Sequence, residues 1–157
     1  MIETTIISGF PGIGKTTFFQ NQSDHNRKCL DIDSSEFSWI KDESGANTKE
    51  RNPDFPNNYI SYIKENIGKV DIIFISSHDI VRKALKDANI LYVLVYPEIS
   101  AKEEYIRRYK ERGDNEEFIN FINNNWDKFI NEMKNEIFPY KKELKEWQYL
   151  SSIGVKI

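Results

Sequence analysis

A single cysteine, Cys29, leaves no partner for an internal disulfide and cannot build a Cys-rich zinc site. The two histidines, His25 and His78, are too few to make up for it. Apolar runs are short: none approaches the roughly 18 residues of a membrane-spanning helix. The opening Met1-Ile2-Glu3-Thr4 lacks the basic start and apolar run of a signal peptide, so the expectation is a soluble cytoplasmic protein with no membrane partner. Positive charge is not in excess either, with 22 Lys+Arg against 25 Asp+Glu and a net charge of −3. That excludes a protein that wraps long duplex DNA by charge alone and leaves room for a local basic groove. Internal repeats and low-complexity tracts are absent. The 157 residues are 39% hydrophobic and 13% aromatic, enough for one packed core and too few for two, which rules out a disordered chain and predicts a single domain over residues 1–157.

Glycine is scarce too, yet three of the seven, Gly9, Gly12 and Gly14, fall within six residues. The β-branched stretch Thr4-Thr5-Ile6-Ile7 before them reads as a strand, and Lys15-Thr16-Thr17-Phe18-Phe19-Gln20 after them as a helix. Between lies Gly9-Phe10-Pro11-Gly12-Ile13-Gly14-Lys15-Thr16, a full Gly-x4-Gly-Lys-Thr pattern. Such glycines let the backbone curl so that its N–H groups face a phosphate, and the helix adds its unpaired amides and positive end. The pattern therefore predicts a nucleoside triphosphate held with Mg²⁺ by Gly9, Pro11, Gly12, Ile13, Gly14, Lys15, Thr16 and Thr17. Lys15 reaches the β/γ-phosphates, and the Thr16 hydroxyl ligates the metal.

The rest of the chain alternates between strand-like and helix-like segments. Short strands are expected over 28–33, 70–75 and 91–96, the last two as buried apolar runs typical of a parallel sheet. Helices are expected over 57–67, after Asp79, over 100–112 from a Ser100–Glu103 capping box, and after Asn115. A further helix is expected after Pro139 and a last strand over 147–152. The segment 34–55 is polar and irregular, too long for an ordinary connection and so either a functional loop or partly helical. This alternation predicts an α/β sandwich around a mostly parallel sheet.

The class of phosphate-binding protein narrows by elimination. The Asn-Lys-x-Asp of a GTPase does not occur, and the strand over 70–75 ends in Ser76-Ser77-His78 rather than the Asp-Glu of a motor ATPase. Asp31-Ile32-Asp33 closes the second strand and puts two carboxylates on one face, Asp33 at the ligand-collecting end. A carboxylate there can take a proton from an attacking hydroxyl or hold metal-bound water, or Asp33 can simply start a turn and Asp31 face solvent. Arg107, Arg108 and Arg112 are three of only six arginines. Arg108 and Arg112 share a helix face with Tyr105 and Tyr109, where guanidinium groups can stabilise charge on a transferring phosphoryl group. Surface pairs of Arg108 with Glu104 and Glu111 are the alternative. His78 can touch substrate or hydrogen-bond backbone; Trp39 can stack on an acceptor base or anchor its loop. The aromatic and aliphatic stripe around Trp126 reads as core, and His25 and Cys29 as incidental.

Together, the amino-terminal P-loop, the Asp-x-Asp after the second strand and the Arg-x3-Arg late in the chain resemble the small kinases of the adenylate kinase type. That superfamily includes shikimate-type, nucleoside, nucleotide and polynucleotide 5′-hydroxyl kinases. The resemblance implies a P-loop three-layer sandwich with a five-stranded sheet of order 2-3-1-4-5 and a short lid over about 107–116. It implies that Arg108 and Arg112 are the lid pair, that Asp33 is the acceptor-site acid, and that Arg82 grips an acceptor phosphate. The segment 34–68 would bind the acceptor, with Trp39 and His78 as further contacts. The expected activity is transfer of the γ-phosphoryl group of ATP to a small acceptor, a nucleoside, nucleotide or related hydroxyl. A polynucleotide 5′-hydroxyl kinase and a non-kinase ATP-binding or ATPase regulatory module acting through a protein partner are the alternatives. The Asp-Gly-x-Pro-Arg of nucleotide monophosphate kinases is absent after the third strand, where Ser76-Ser77-His78-Asp79 stands.

Overall fold

The computed structural model describes residues 2–21 and 26–153; His25 lies outside them. Its centre is β1 (Thr5–Gly9), whose Ile6 and Ile7 are buried and whose neighbours are β5 (Ile72–Ser76) and β6 (Val93–Pro97). Edge strands β2 (Cys29–Asp31) and β7 (Tyr140–Leu144) complete a sheet of order β2-β5-β1-β6-β7, every pairing parallel. Counting only the strands of this sheet, the order is 2-3-1-4-5, as expected. The apolar runs Ile72-Ile73-Phe74-Ile75 and Val93-Leu94-Val95 are buried because helices cover both faces. Crossovers from β1 to β2 and from β5 past β1 to β6 run in opposite directions, so right-handed connections put their helices on opposite faces. In the register Gly9 lies beside Ser76 and Val95, which brings the carboxyl ends of the three central strands to one edge.

The helices are α1 (Lys15–Gln20), α2 (Ser35–Ser38), α3 (Asn57–Asn66), α4 (Asp79–Asp87), α5 (Lys102–Glu111) and α6 (Glu116–Asn135). Asn115 caps α6 as its sequence suggests, its Oδ1 accepting from the Phe118 amide at 2.7 Å. Gly113, at φ +81°, ends the turn after α5. The Ser100 capping box does not form: a 3₁₀ turn over Ile99–Ala101 precedes α5, and the Ser100 hydroxyl donates to Glu98 instead. Asp79 likewise opens α4 as its first residue rather than capping it, its Oδ1 accepting only from the next amide, Ile80. None of the described helices is long and apolar enough to cross a membrane.

Two segments depart from expectation. Residues 39–51 form a two-stranded antiparallel hairpin, β3 (Trp39–Lys41) and β4 (Asn47–Arg51). Its turn is set by Asp42, whose Oδ1 accepts from the amides of Ser44 and Ala46, and by Gly45 at φ +85°. The hairpin is exposed on nearly every position, so no alternation of apolar residues marks it in the sequence. Residues 140–144 are the edge strand β7 rather than a helix, and the expected strand over 147–152 is mostly irregular, ending in a 3₁₀ turn at Leu150–Ile153. Only Leu144 of β7 is buried, and its Lys and Glu side chains suit a solvent-facing edge as well as they suit a helix.

Candidate active site

The loop between β1 and α1 needs its glycines. Gly12 and Gly14 sit at φ +91° and +98°, left-handed conformations that L side chains resist. A Cβ on Gly9 would come within 2.5 Å of the Ile13 side chain and 2.9 Å of Lys15, and one on Gly12 within 3.0 Å of the Tyr109 ring. Ile13 is fully buried and pins the loop from below.

Three successive loop carbonyls are held from outside the loop. The Tyr109 hydroxyl donates to the Pro11 carbonyl at 2.7 Å, the Arg108 guanidinium to Gly12 at 2.9 Å, and the Leu150 amide to Ile13 at 2.8 Å. Because carbonyl and following amide of one peptide point opposite ways, these bonds orient the loop's peptide planes. Ile13 spends its own amide on the Phe10 carbonyl, whereas those of Lys15 and Thr16, in the first turn of α1, have no intrahelical acceptor. The loop opens on a cleft of about 690 Å³ lined by Lys15, Thr16, Thr17, Asp31, Asp33 and Arg112, among others.

Lys15 folds back so that its Nζ donates to the Gly9 carbonyl at 3.1 Å. Burial lowers its pKa, Arg112 adds to that, and Asp31 and Asp33 oppose it. Asp31 is shifted up, first by desolvation in the cleft and then by Asp33, with Lys15 pulling it back down. Thus a cation and two carboxylates share one field. Asp33 lies two residues beyond β2, its Oδ1 accepting from the Ser35 amide at 2.9 Å. Tyr59 of α3 ties this edge together: its hydroxyl donates to the Ile32 carbonyl at 2.6 Å and accepts from the Ser76 amide at 3.4 Å. The cleft suits a magnesium triphosphate: it offers open helix-start amides, a lysine, the exposed Thr16 hydroxyl and two carboxylates.

The arginines divide sharply. Arg107 faces solvent and pairs with Glu104 and Glu111. Arg108 is 7% exposed and sandwiched between the Tyr105 and Tyr149 rings, 4.4 and 3.8 Å from their centroids. Besides Gly12 it donates to the carbonyls of Glu146 and Gln148, so it is bound to the loop and the carboxyl-terminal segment rather than free on a lid. Arg112 lines the cleft, its Nε 2.5 Å from Asp114 and its guanidinium over the Tyr109 ring. Arg82 is not free to grip an acceptor phosphate: it is 4% exposed, donates to the Ser77 carbonyl at 2.8 Å and pairs with Glu136 at 2.7 Å.

A second cavity of about 230 Å³ adjoins the cleft and shares Pro11, Lys15 and Ser76 with it. His78 and Arg82 line it from one side, and α6 from the other. None of residues 34–68 lines it, and Trp39 lines neither cavity, its ring covered by the Arg51 guanidinium at 4.2 Å. The wall the cavity lacks from that segment is supplied by α6, whose Phe129 the sequence offers as part of a core stripe and whose Phe121 it does not single out. Cys29 is buried in β2, where desolvation pushes its thiol up to about 11.

No protein-family model matches the chain, and no curated protein matches it. Among solved structures, the crystal structure of a gluconokinase from Sinorhizobium meliloti 1021 superposes with a TM-score of 0.52 at 13% identity, covering 96% of this chain and 86% of that one. At that identity the likeness speaks for the fold alone, an α/β sandwich around a parallel five-stranded sheet.

Proposed function

We propose that the protein is an ATP-dependent phosphotransferase that moves a γ-phosphoryl group to the hydroxyl of a small acceptor, within the group of nucleosides, nucleotides and related hydroxyl compounds. The observation that carries this reading is the phosphate loop whose carbonyls are turned outward onto Tyr109, Arg108 and Leu150, beside a lysine and two carboxylates in one cleft. The likeness to a solved gluconokinase supports the same reading at the level of the fold.

In this reading the loop amides and Lys15 bind the triphosphate, and Arg112 stands over it from the turn between α5 and α6. Thr16, with Asp31, would hold Mg²⁺, which when bound would screen the phosphate charge. Asp33 orients the acceptor hydroxyl. The hydroxyl oxygen forms a bond to the γ-phosphorus as the bond from that phosphorus to the β,γ-bridging oxygen breaks; ADP leaves, and the hydroxyl proton passes to the Asp33 carboxylate. Arg108 acts through the loop rather than on the phosphates, as a positioning residue.

Replacing Lys15 by Ala should lower transfer by at least about a hundredfold, the scale on which a preorganised charge acts on a transition state. The melting temperature should shift little, because the lysine's burial already works against its charge. Normal phosphate transfer by a folded Lys15→Ala protein would refute the assignment.

A further inference from the structure

The chemistry of the acceptor is written in the second cavity. One wall is α6, which contributes Phe121, Ile122, Phe129 and Met133; the other is the end of β5 and the start of α4. Phe121 and Phe129 stand with ring centroids 5.5 Å apart, and Phe121 is left 54% exposed at the mouth. A large aromatic pair open to a cavity is a surface on which a flat apolar group can pack. The volume, about 230 Å³, falls below the ~300–1,000 Å³ usual for sites that take drug-sized ligands.

The charges lining the cavity leave no place for an anion. Arg82 is the one guanidinium there, and Glu136 and the Ser77 carbonyl already occupy it. Glu136 in turn accepts from the Tyr92 hydroxyl at 3.2 Å, so the buried Arg82 is tied to a half-buried carboxylate that is itself engaged. Lys15 is committed to the phosphate side. What remains is Lys128 and Glu132, of opposite sign four residues apart on α6, and Asp79 at the start of α4. A phosphate or carboxylate entering here would meet two carboxylates and one exposed lysine, and would lose its water without a compensating partner.

Polar groups gather only at the inner end, where the cavity meets the cleft. Ser76 lines both spaces, and its buried hydroxyl has no hydrogen-bond partner among the described residues. Buried hydroxyls are nearly always paired, so an orphan at the junction of two cavities suits a ligand hydroxyl. Lys15 stands at the same junction, and His78 lines the second cavity near it.

We infer that the acceptor is an uncharged compound with a single flat ring and a hydroxyl arm, of nucleoside size or smaller, its ring on Phe121 and Phe129 and its hydroxyl beside Ser76 and Lys15. This rests on the kinase reading and narrows it to nucleoside-like acceptors, against mononucleotides, sugar acids and oligonucleotide ends. The test supplies γ-labelled ATP·Mg²⁺ with thymidine, uridine, thymidine 5′-monophosphate, D-gluconate and a 5′-hydroxyl oligonucleotide. Thymidine or uridine should be labelled with a kcat/KM at least tenfold above that for any of the charged compounds. Phe121→Ala, at an exposed position that puts folding at little risk, should raise the KM for that nucleoside about tenfold, the scale of a lost apolar contact, and leave the KM for ATP unchanged. Preference for the monophosphate, gluconate or the oligonucleotide, or a Phe121→Ala protein with unaltered KM, overturns the inference and leaves the kinase standing. Labelling of none overturns it as well, and calorimetry of ATP·Mg²⁺ binding to the wild type and Lys15→Ala then tells whether the kinase reading falls with it.

Discussion

His78 shows how a single side chain registers the site around it. It precedes α4, lines the second cavity and lies within the electrostatic field of Asp79, Lys15, Asp33 and Arg51. Burial lowers its pKa, helped by Lys15 and Arg51 and opposed by Asp79 and Asp33. The folded chain therefore prefers the neutral ring. Between the lowered value and about 6.5 the unfolded chain binds a proton that the folded one does not, so stability rises with pH across that window. The melting temperature should fall between pH 7 and pH 5.5, and fall less in His78→Gln; identical slopes would show an imidazole that stays solvated. Asp31, shifted upward, works in the opposite sense and at lower pH. His78, Lys15, Thr16 and Asp33 are visible as candidates in the bare sequence. The roles of Tyr109 and Tyr149 are not, because a tyrosine on a helix or in a polar tail carries no local sign of the carbonyl or guanidinium it will meet.

At the level of elements, α6 does more than fill the core. Its inner face seats Trp126 at 5.4 Å from the Phe10 ring, edge to face, and the indole donates to the Ile99 carbonyl at 2.7 Å. The same helix then carries Phe121 and Phe129 to the second cavity, so its orientation sets both the packing and the shape of that cavity. Loss of its cap should be felt: Asn115→Ala should cost about 1 kcal/mol, or roughly 2–4 °C in a chain of this size, measured by thermal unfolding. The cap and the helix were legible because Asn115 stands just before a run of apolar residues at helical spacing. By contrast, the hairpin of β3 and β4 was illegible. Its strands bury almost nothing, so its register comes from the Asp42 turn and from pairing, neither of which leaves a hydrophobic pattern. For β7 the local preference of Lys and Glu pointed to a helix, and pairing with β6 overrode it.

Across the whole molecule, the phosphate loop is clamped between distant parts of the chain. Arg108 links Gly12 to Glu146 and Gln148, and Leu150 bonds Ile13, so α5 and the carboxyl-terminal segment share the loop as a common support. A ligand that binds this support only when it is assembled stabilises the fold by mass action. ATP·Mg²⁺ at a hundred times its dissociation constant should add about 2.7 kcal/mol and raise the melting temperature by roughly 5–10 °C. The same nucleotide should leave Lys15→Ala nearly unmoved, and a full shift in that variant would place binding elsewhere. By itself the amino-acid sequence determined the parallel α/β class, the phosphate loop and the cap of α6. Each depends on short-range rules: buried apolar runs, glycine where φ is positive, a cap beside the helix it serves. Only the tertiary structure decided that Arg108 is spent on main-chain carbonyls, that Arg82 is sealed by Glu136, and that α6 rather than residues 34–68 walls the second cavity. Those outcomes depend on which buried charges and carbonyls find partners across tens of residues, and that pairing exists only once the chain has folded.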